Sequence, residues 1–363
     1  MTNDAVVGAD PPDRAFGAEN RARLLTEYFD AEAAEEVRVD TSWRHVYHLL
    51  MWIDRTIGLA HCYESDKCQP GRPWYARSLR FHQWLAEELG TTASDLSPRI
   101  DWLFTTAAQD LARSTELRSS ALGDRGLQQR APYEHLGMPL PGEDPELASV
   151  ISETLDELPH PIPDGLANRL ADRILVYLGS ENKRKNLVGE GFEDTLASIF
   201  RRVDGIADRY DIFLRPALHE LPGFNRPRGG DKTKRVDLAL VRKSDNWRVL
   251  VSCKWSVRSD REEQFGRDFD AYARLESLGK NFGYVMVTNE FDPARLAAAC
   301  EMRQLNELIF TDVVHVNPEG PRAVYEVGAP RRIGGGIERV IGHMDTGRLS
   351  SLESWLRGLQ VSS

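Results

Sequence analysis

The sequence predicts an α/β fold, a mixed sheet flanked by helices and preceded by an all-α N-terminal domain. Three observations carry that expectation. In the front half, apolar residues recur at three- and four-residue spacing, as on one face of a helix. Between residues 131 and 165 seven prolines gather, Pro132, Pro139, Pro141, Pro145, Pro159, Pro161 and Pro163, a composition that interrupts regular structure. Beyond them period-two alternation sets in, first as a hairpin and then as strands separated by helical stretches, the pattern of a mixed sheet with helices on its faces. The expected division is a helical domain over 1–165, with its proline-rich connection from about 131, and a sheet-bearing domain over 166–363.

Taken in order, "AENRARLLTEYFDAEAAEEV" (18–37), "SWRHVYHLLMWIDRTIGLA" (42–60), "YARSLRFHQWLAEELG" (75–90) and "RIDWLFTTAAQDLARSTELR" (99–118) read as amphipathic helices, and Gly90 closes the third as a C-cap glycine would. A short helix near 145–157 interrupts the connection. "NRLADRILVYLG" (168–179) and "GFEDTLASIFRRVDGIADRY" (191–210) are helical, the latter with Phe192, Leu196, Ile199, Phe200 and Val203 facing inward. After the loop "ELPGFNRPRGGDKTKR" come two strands, "RVDLALVRK" and "WRVLVSCKW", joined by the tight turn "SDN". Helix (262–279), strand (282–290), helix (293–304) and strand (307–316) then alternate.

Bulk composition excludes several classes. With 363 residues and 41% hydrophobic content the chain has material for two cored domains. It holds no apolar run of roughly 18 residues, so no membrane span is expected. The start, "MTNDAVVGADPPDRAFG", has neither the basic head nor the apolar core of a secretory signal. Cys62, Cys68, Cys253 and Cys300 are too few for a disulfide framework and point to a reducing cytoplasm. The net charge of −10 is unevenly spread: residues 1–165 hold 15 Lys/Arg against 28 Asp/Glu, leaving 31 against 28 in 166–363. A polyanionic partner is therefore excluded for the front half as a whole and permitted for the back half.

The chemistry gathers at the ends of the hairpin strands. Side chains alternate faces along a strand, so Ser252 and Lys254 share one. Antiparallel pairing brings Asp237, at the start of the first strand, beside Lys254. A carboxylate holding a hard divalent cation such as Mg²⁺, next to a lysine, suits phosphodiester hydrolysis. The lysine orients water or stabilises charge developing on the phosphate. The loop "FNRPRGGDKTKR" (224–235) supplies Arg226, Arg228, Lys232, Lys234 and Arg235 as candidate DNA-backbone contacts.

Ser252-x-Lys254, then three residues, then Arg258-x-Asp260-Arg261 resembles the CCGG-recognising type II restriction endonucleases, the NgoMIV and BsaWI kind, of the PD-(D/E)XK nuclease superfamily. The resemblance is concentrated in residues 237–268. The superfamily's usual signature has an acid where Ser252 stands, and a hydroxyl is a poor metal ligand. In the CCGG group that acid has moved to the following helix, fourteen residues after the lysine and usually as glutamate; here the position is Asp268. The resemblance implies a catalytic set of Asp237, Lys254, Asp268, Glu193 and Ser252, and metal positions at Asp237, Asp268, Cys253 and Glu193, with Glu190 competing for the role of Glu193. It places Arg258 and Arg261 on guanine O6 and N7 and Asp260 on cytosine N4, pairings that base-edge geometry also favours. Asp260 equally reads as a helix N-cap, with Glu263 completing a capping box.

The implied activity is Mg²⁺-dependent cleavage of double-stranded DNA at a palindrome with a CCGG-like core, leaving 5′ overhangs. The implied partners are a second copy of the chain, as a homodimer or higher homo-oligomer, and a cognate DNA methyltransferase. Two alternatives remain: a modification-dependent DNA endonuclease, and a catalytically inactive nuclease fold that only binds DNA. Elsewhere, "LAEELGTTASDLSPRI" (85–100) resembles a helix-turn-helix start, but Pro98 disfavours its second helix. "HCYESDKC" (61–68) fits no strong zinc spacing.

Overall fold

The computed structural model describes residues 18–31, 37–53, 75–90, 149–153, 189–229, 233–257, 262–279, 281–304, 306–325 and 335–361, with isolated positions between 124 and 171. Two compact units divide the chain, Met1–Arg23 with Trp102–Leu187, and Leu24–Asp101 with Val188–Ser363. The second carries the sheet. The expected split at 165 separates helical from sheet-forming sequence, whereas packing groups Leu24–Asp101 with the strands.

The described strands are β1 (Tyr210–Leu214), β2 (Leu238–Arg242), β3 (Arg248–Lys254), β4 (Gly283–Thr288), β5 (Arg303–Gln304), β6 (Glu307–Leu308), β7 (Asp312–His315) and β8 (Leu349–Ser351). Six of them form one mixed sheet in the order β1-β2-β3-β4-β7-β8, and β5 with β6 makes a separate two-stranded ribbon. β2 runs antiparallel to both of its neighbours, β1 and β3; β3, β4, β7 and β8 run parallel. The helices are α1 (Ala18–Ala31), α2 (Ser42–Ile53), α3 (Tyr75–Glu88), α4 (residues 189–202), α5 (Ile206–Arg209), α6 (Glu262–Leu275), α7 (Pro293–Glu301), α8 (Glu319–Tyr325), α9 (Gly336–Asp345) and α10 (Leu352–Val361). The chain is thus mixed α/β, with a six-stranded sheet flanked by helices.

Local chemistry explains the hairpin. Asn246 takes a left-handed φ of 60°, which asparagine tolerates better than most residues. Asp245 accepts from the Trp247 amide at 3.0 Å and pairs with Arg242 at 2.7 Å, closing the turn. The central strand β4 is buried on both faces, all six of its residues included, as expected for a strand covered by helices on each side. Leu250 of β3 is paired with Tyr284 of β4, so the two share a face. α6 covers that face, with Phe269 and Tyr272 ring centroids 6.3 and 5.5 Å from Tyr284 and Phe265 5.3 Å from Phe310. The expected inward stripe of α4 is buried throughout, from Phe192 to Val203, and Phe200 meets Trp355 of α10 at 5.6 Å.

The front helices join this unit through aromatic residues. Trp43, Tyr47, Phe81 and Trp84 form one cluster, which continues to Trp255 (6.1 Å from Tyr47) and Phe291 (4.2 Å from Phe81). The Tyr47 hydroxyl donates to Asn289 Oδ1 at 2.6 Å. Gly320 lets α8 lie against α3, since a Cβ there would stand 3.0 Å from the Trp84 ring.

Three segments differ from the sequence expectation. The helix expected over 191–210 is interrupted at Gly205, which has φ 76°, and its last residue, Tyr210, instead opens the edge strand β1. The single strand expected over 307–316 is two, β6 and β7, with Phe310 turned into the core between them. The elements after residue 318 were not signalled by the alternation. The readings at 61–68 and 99–118 lie outside the described residues, as does most of the helix-turn-helix stretch at 85–100 and of the proline-rich connection.

Candidate active site

The site is built where β2 begins and β3 ends. Leu238 is paired with Val251, so the preceding residue, Asp237, comes opposite Ser252. Its carboxylate Oδ2 receives three donors: Lys254 Nζ at 2.5 Å, the Cys253 amide at 2.9 Å and Ser252 Oγ at 3.4 Å. Among the described residues none reaches Oδ1. Asp237 also continues the ladder to the next strand, its carbonyl accepting from the Arg215 amide at 3.0 Å. Burial alone would lower the Lys254 pKa; the Asp237 carboxylate outweighs it, and the ammonium is held protonated above its usual range.

Glu193, on α4, faces the same place. Burial pushes its carboxyl up to about 7, with the Asp237 charge adding to the rise and Arg215 opposing it. Arg215 donates to Glu193 Oε2 at 2.6 Å and, through its other amino group, to Asp194 Oδ1. Arg215 has a left-handed φ of 49°, an uncommon conformation for a side chain of that size. Its carbonyl is tied by Arg235 Nη1 at 2.8 Å.

Asp268 stands on α6. Its Oδ1 is taken by Lys234 Nζ at 2.9 Å. Tyr272 and Tyr284 link the two regions. Burial raises the pKa of both phenols, and the Asp268 and Asp237 charges raise both further. A hydrogen bond with Ser252 acts on Tyr284 in the opposite sense. The charges of both carboxylates therefore reach the same two phenols.

The sequence-derived candidates fall into three groups. Asp237, Ser252, Lys254 and Glu193 come together, with Asp268 close by. Cys253 contributes its backbone amide only; alternation turns its thiol to the opposite face, where burial, then Asp237, pushes it well above the ordinary thiol range. Arg226 and Arg228 are exposed on their loop, as is Arg235. Lys232, Arg258, Asp260 and Arg261 lie outside the described residues. Arg215 and Asp194 were missed. The strand run "YDIFL" between Gly205 and Pro216 was the available signal, since a strand there delivers its next residue to the sheet end.

The donor set suits a hard divalent cation: two carboxylates close enough for one to raise the other's pKa, and one oxygen of Asp237 without a donor among the described residues. Among the described residues no three His, Cys, Asp or Glu side chains group closely enough to enclose a metal ion, and Asp268 is engaged by Lys234.

Glu193 gives a pH signature. With the folded carboxyl titrating near 7 and the free one near 4.5, the folded state keeps a proton over that window that the unfolded state has lost. Unfolding free energy then falls as pH rises from about 4.5 to about 7 and is flat above, by about 1–3 kcal/mol in total. Denaturant titrations in EDTA across this window, comparing the native protein with Glu193→Gln, measure it; identical slopes for the two proteins contradict the assignment.

Compared with known protein families and with curated proteins, the chain matches none.

Proposed function

We propose that this chain is a Mg²⁺-dependent endonuclease of the type II restriction kind, hydrolysing double-stranded DNA at a palindrome with a CCGG-like core. The observation that carries the proposal is Lys254 Nζ at 2.5 Å from Asp237 Oδ2 where β2 begins and β3 ends, with the Glu193 carboxyl on the same side. Asp237 and Glu193 would hold Mg²⁺; Asp268, paired with Lys234, would be the third acid. When bound, the cation supplies Lewis acidity toward the phosphate and a water of lowered pKa. Lys254 keeps its proton, so it donates to the attacking water or to a non-bridging phosphate oxygen as negative charge develops. Ser252 does not replace an acid; its hydroxyl donates to Asp237 and orients it.

Two further parts complete the reading. Arg258, Asp260 and Arg261 follow Val257 in the sequence and have the donor and acceptor types that C·G pairs require. Arg226, Arg228, Lys232, Lys234 and Arg235 form a basic segment before β2 that fits DNA phosphates, which makes binding steeply dependent on salt. A palindromic target calls for a two-fold homodimer, and host DNA then needs a protecting methyltransferase.

The test is cleavage of unmethylated plasmid by the purified protein with Mg²⁺, beside an EDTA control. Discrete fragments whose ends share a CCGG core, absent with EDTA, are the expected result. DNA that is bound but left intact would instead support the inactive nuclease fold, which the serine at position 252 favours. Cutting confined to methylated plasmid would support a modification-dependent enzyme.

A further inference from the structure

One cation of the basic segment is not presented outward. Lys234 Nζ lies 2.9 Å from Asp268 Oδ1, the acid that the cation site lacks. The pair is unequal: the lysine side chain is 42% exposed and the aspartate 16%. The lysine backbone is fixed, its carbonyl accepting from the Leu218 amide at 2.9 Å and the next residue bridging to Ala217. Only the side chain is therefore required to move. Arg226 and Arg228, eight and six residues before it in the sequence, are exposed. Asp268 lies one helical turn before Tyr272, whose ring packs 5.5 Å from Tyr284 on the sheet face that also carries Ser252 and Lys254.

We propose that Lys234 is a latch on Asp268: without DNA the ammonium neutralises this carboxylate, and a backbone phosphate that draws Lys234 away releases Asp268 to join Asp237 and Glu193 around a divalent cation. The inference rests on the nuclease reading for its substrate, while the latch itself belongs to the free protein. An ammonium of this exposure exchanges a carboxylate for a phosphate at small net cost, because both are anions and the pair is partly hydrated. Asp268, less exposed and left without its cation, then gains most from a metal ion. Coupling between two ligands is reciprocal: DNA tightens cation binding, and the cation tightens DNA binding by the same factor. The latch keeps the cation site incomplete until a duplex is in place.

The experiment uses Mn²⁺ alone, titrated into the full chain without DNA and followed by the electron paramagnetic resonance of the free ion. Four proteins form a double-mutant cycle: native, Lys234→Gln, Asp268→Asn and the double variant. Lys234→Gln is expected to bind Mn²⁺ roughly fivefold or more tightly than the native protein, and the same substitution is expected to change nothing in the Asp268→Asn background. A general field effect of losing one positive charge would appear equally in both backgrounds and overturns the latch, as does unchanged affinity in Lys234→Gln. Lys234 is largely outside the core, and thermal unfolding verifies that each variant is folded. Plasmid cleavage by the native protein is read separately. Its absence counts against the nuclease reading and leaves the cycle to decide the latch, whereas cleavage without coupling in the cycle removes the latch alone.

Discussion

Lys254→Ala is expected to slow DNA hydrolysis by about a hundred- to a thousandfold while the protein still folds, on the scale of removing one preorganised donor at a developing charge. The ammonium is the only side-chain cation within hydrogen-bonding distance of Asp237 among the described residues, at 2.5 Å. Its loss leaves the Asp237 carboxylate with the Cys253 amide and the Ser252 hydroxyl, so the acid is not stranded. Both side chains of the pair are about a quarter exposed or less, and the stability change should stay within about 1–2 kcal/mol. Single-turnover cleavage with saturating protein separates the chemical step from binding. Retention of the native rate in the alanine variant would remove Lys254 from the mechanism. Lys254→Arg is not a rescue, because a planar guanidinium cannot occupy the position of a compact ammonium.

The second large effect concerns stability. Glu290→Ala is expected to destabilise the protein by about 3–5 kcal/mol. Glu290 is buried just beyond β4. One of its oxygens accepts from the Phe291 and Asp292 amides, each at 2.8 Å, and the other from the Val257 amide at 2.6 Å, with Arg295 at 3.6 Å. Burial pushes its carboxyl up, and the three amides and Arg295 pull the other way. Alanine leaves those amides and the guanidinium without their acceptor inside the core. Glu290→Gln keeps one acceptor oxygen and recovers part of the loss. Urea unfolding of the three proteins gives the order native, glutamine, alanine; a shared midpoint would show that Glu290 contributes nothing. Because Val257 is three residues past Lys254, the loosened variants should also cleave more slowly.

The hairpin, the inward stripe of α4 and the face shared by Ser252 and Lys254 were legible because each depends on a period of two or of 3.6 within one segment. The approach of Asp237 to Lys254 followed from one antiparallel pairing between neighbours in sequence. Arg215 was missed, since its place depends on an edge strand that begins at Tyr210, directly after the short helix α5. The engagement of Asp268 by Lys234 joins residues 34 apart on different elements, and nothing local marks it. The buttressing of the strand ends by α2 is likewise a tertiary result: the period of α2 identified a buried face but not what it would be buried against.

That buttress limits how this protein can be divided. Tyr47 fills the donor requirement of an asparagine wholly inside the core and covers Trp255, the residue after Lys254. An excised fragment starting at residue 166 would present Trp255, Phe291 and Gly320 to water, with Asn289 Oδ1 deprived of its donor. A chimera meant to give this protein a new targeting module has to carry residues 42–88 along with the strands, and its seam belongs elsewhere.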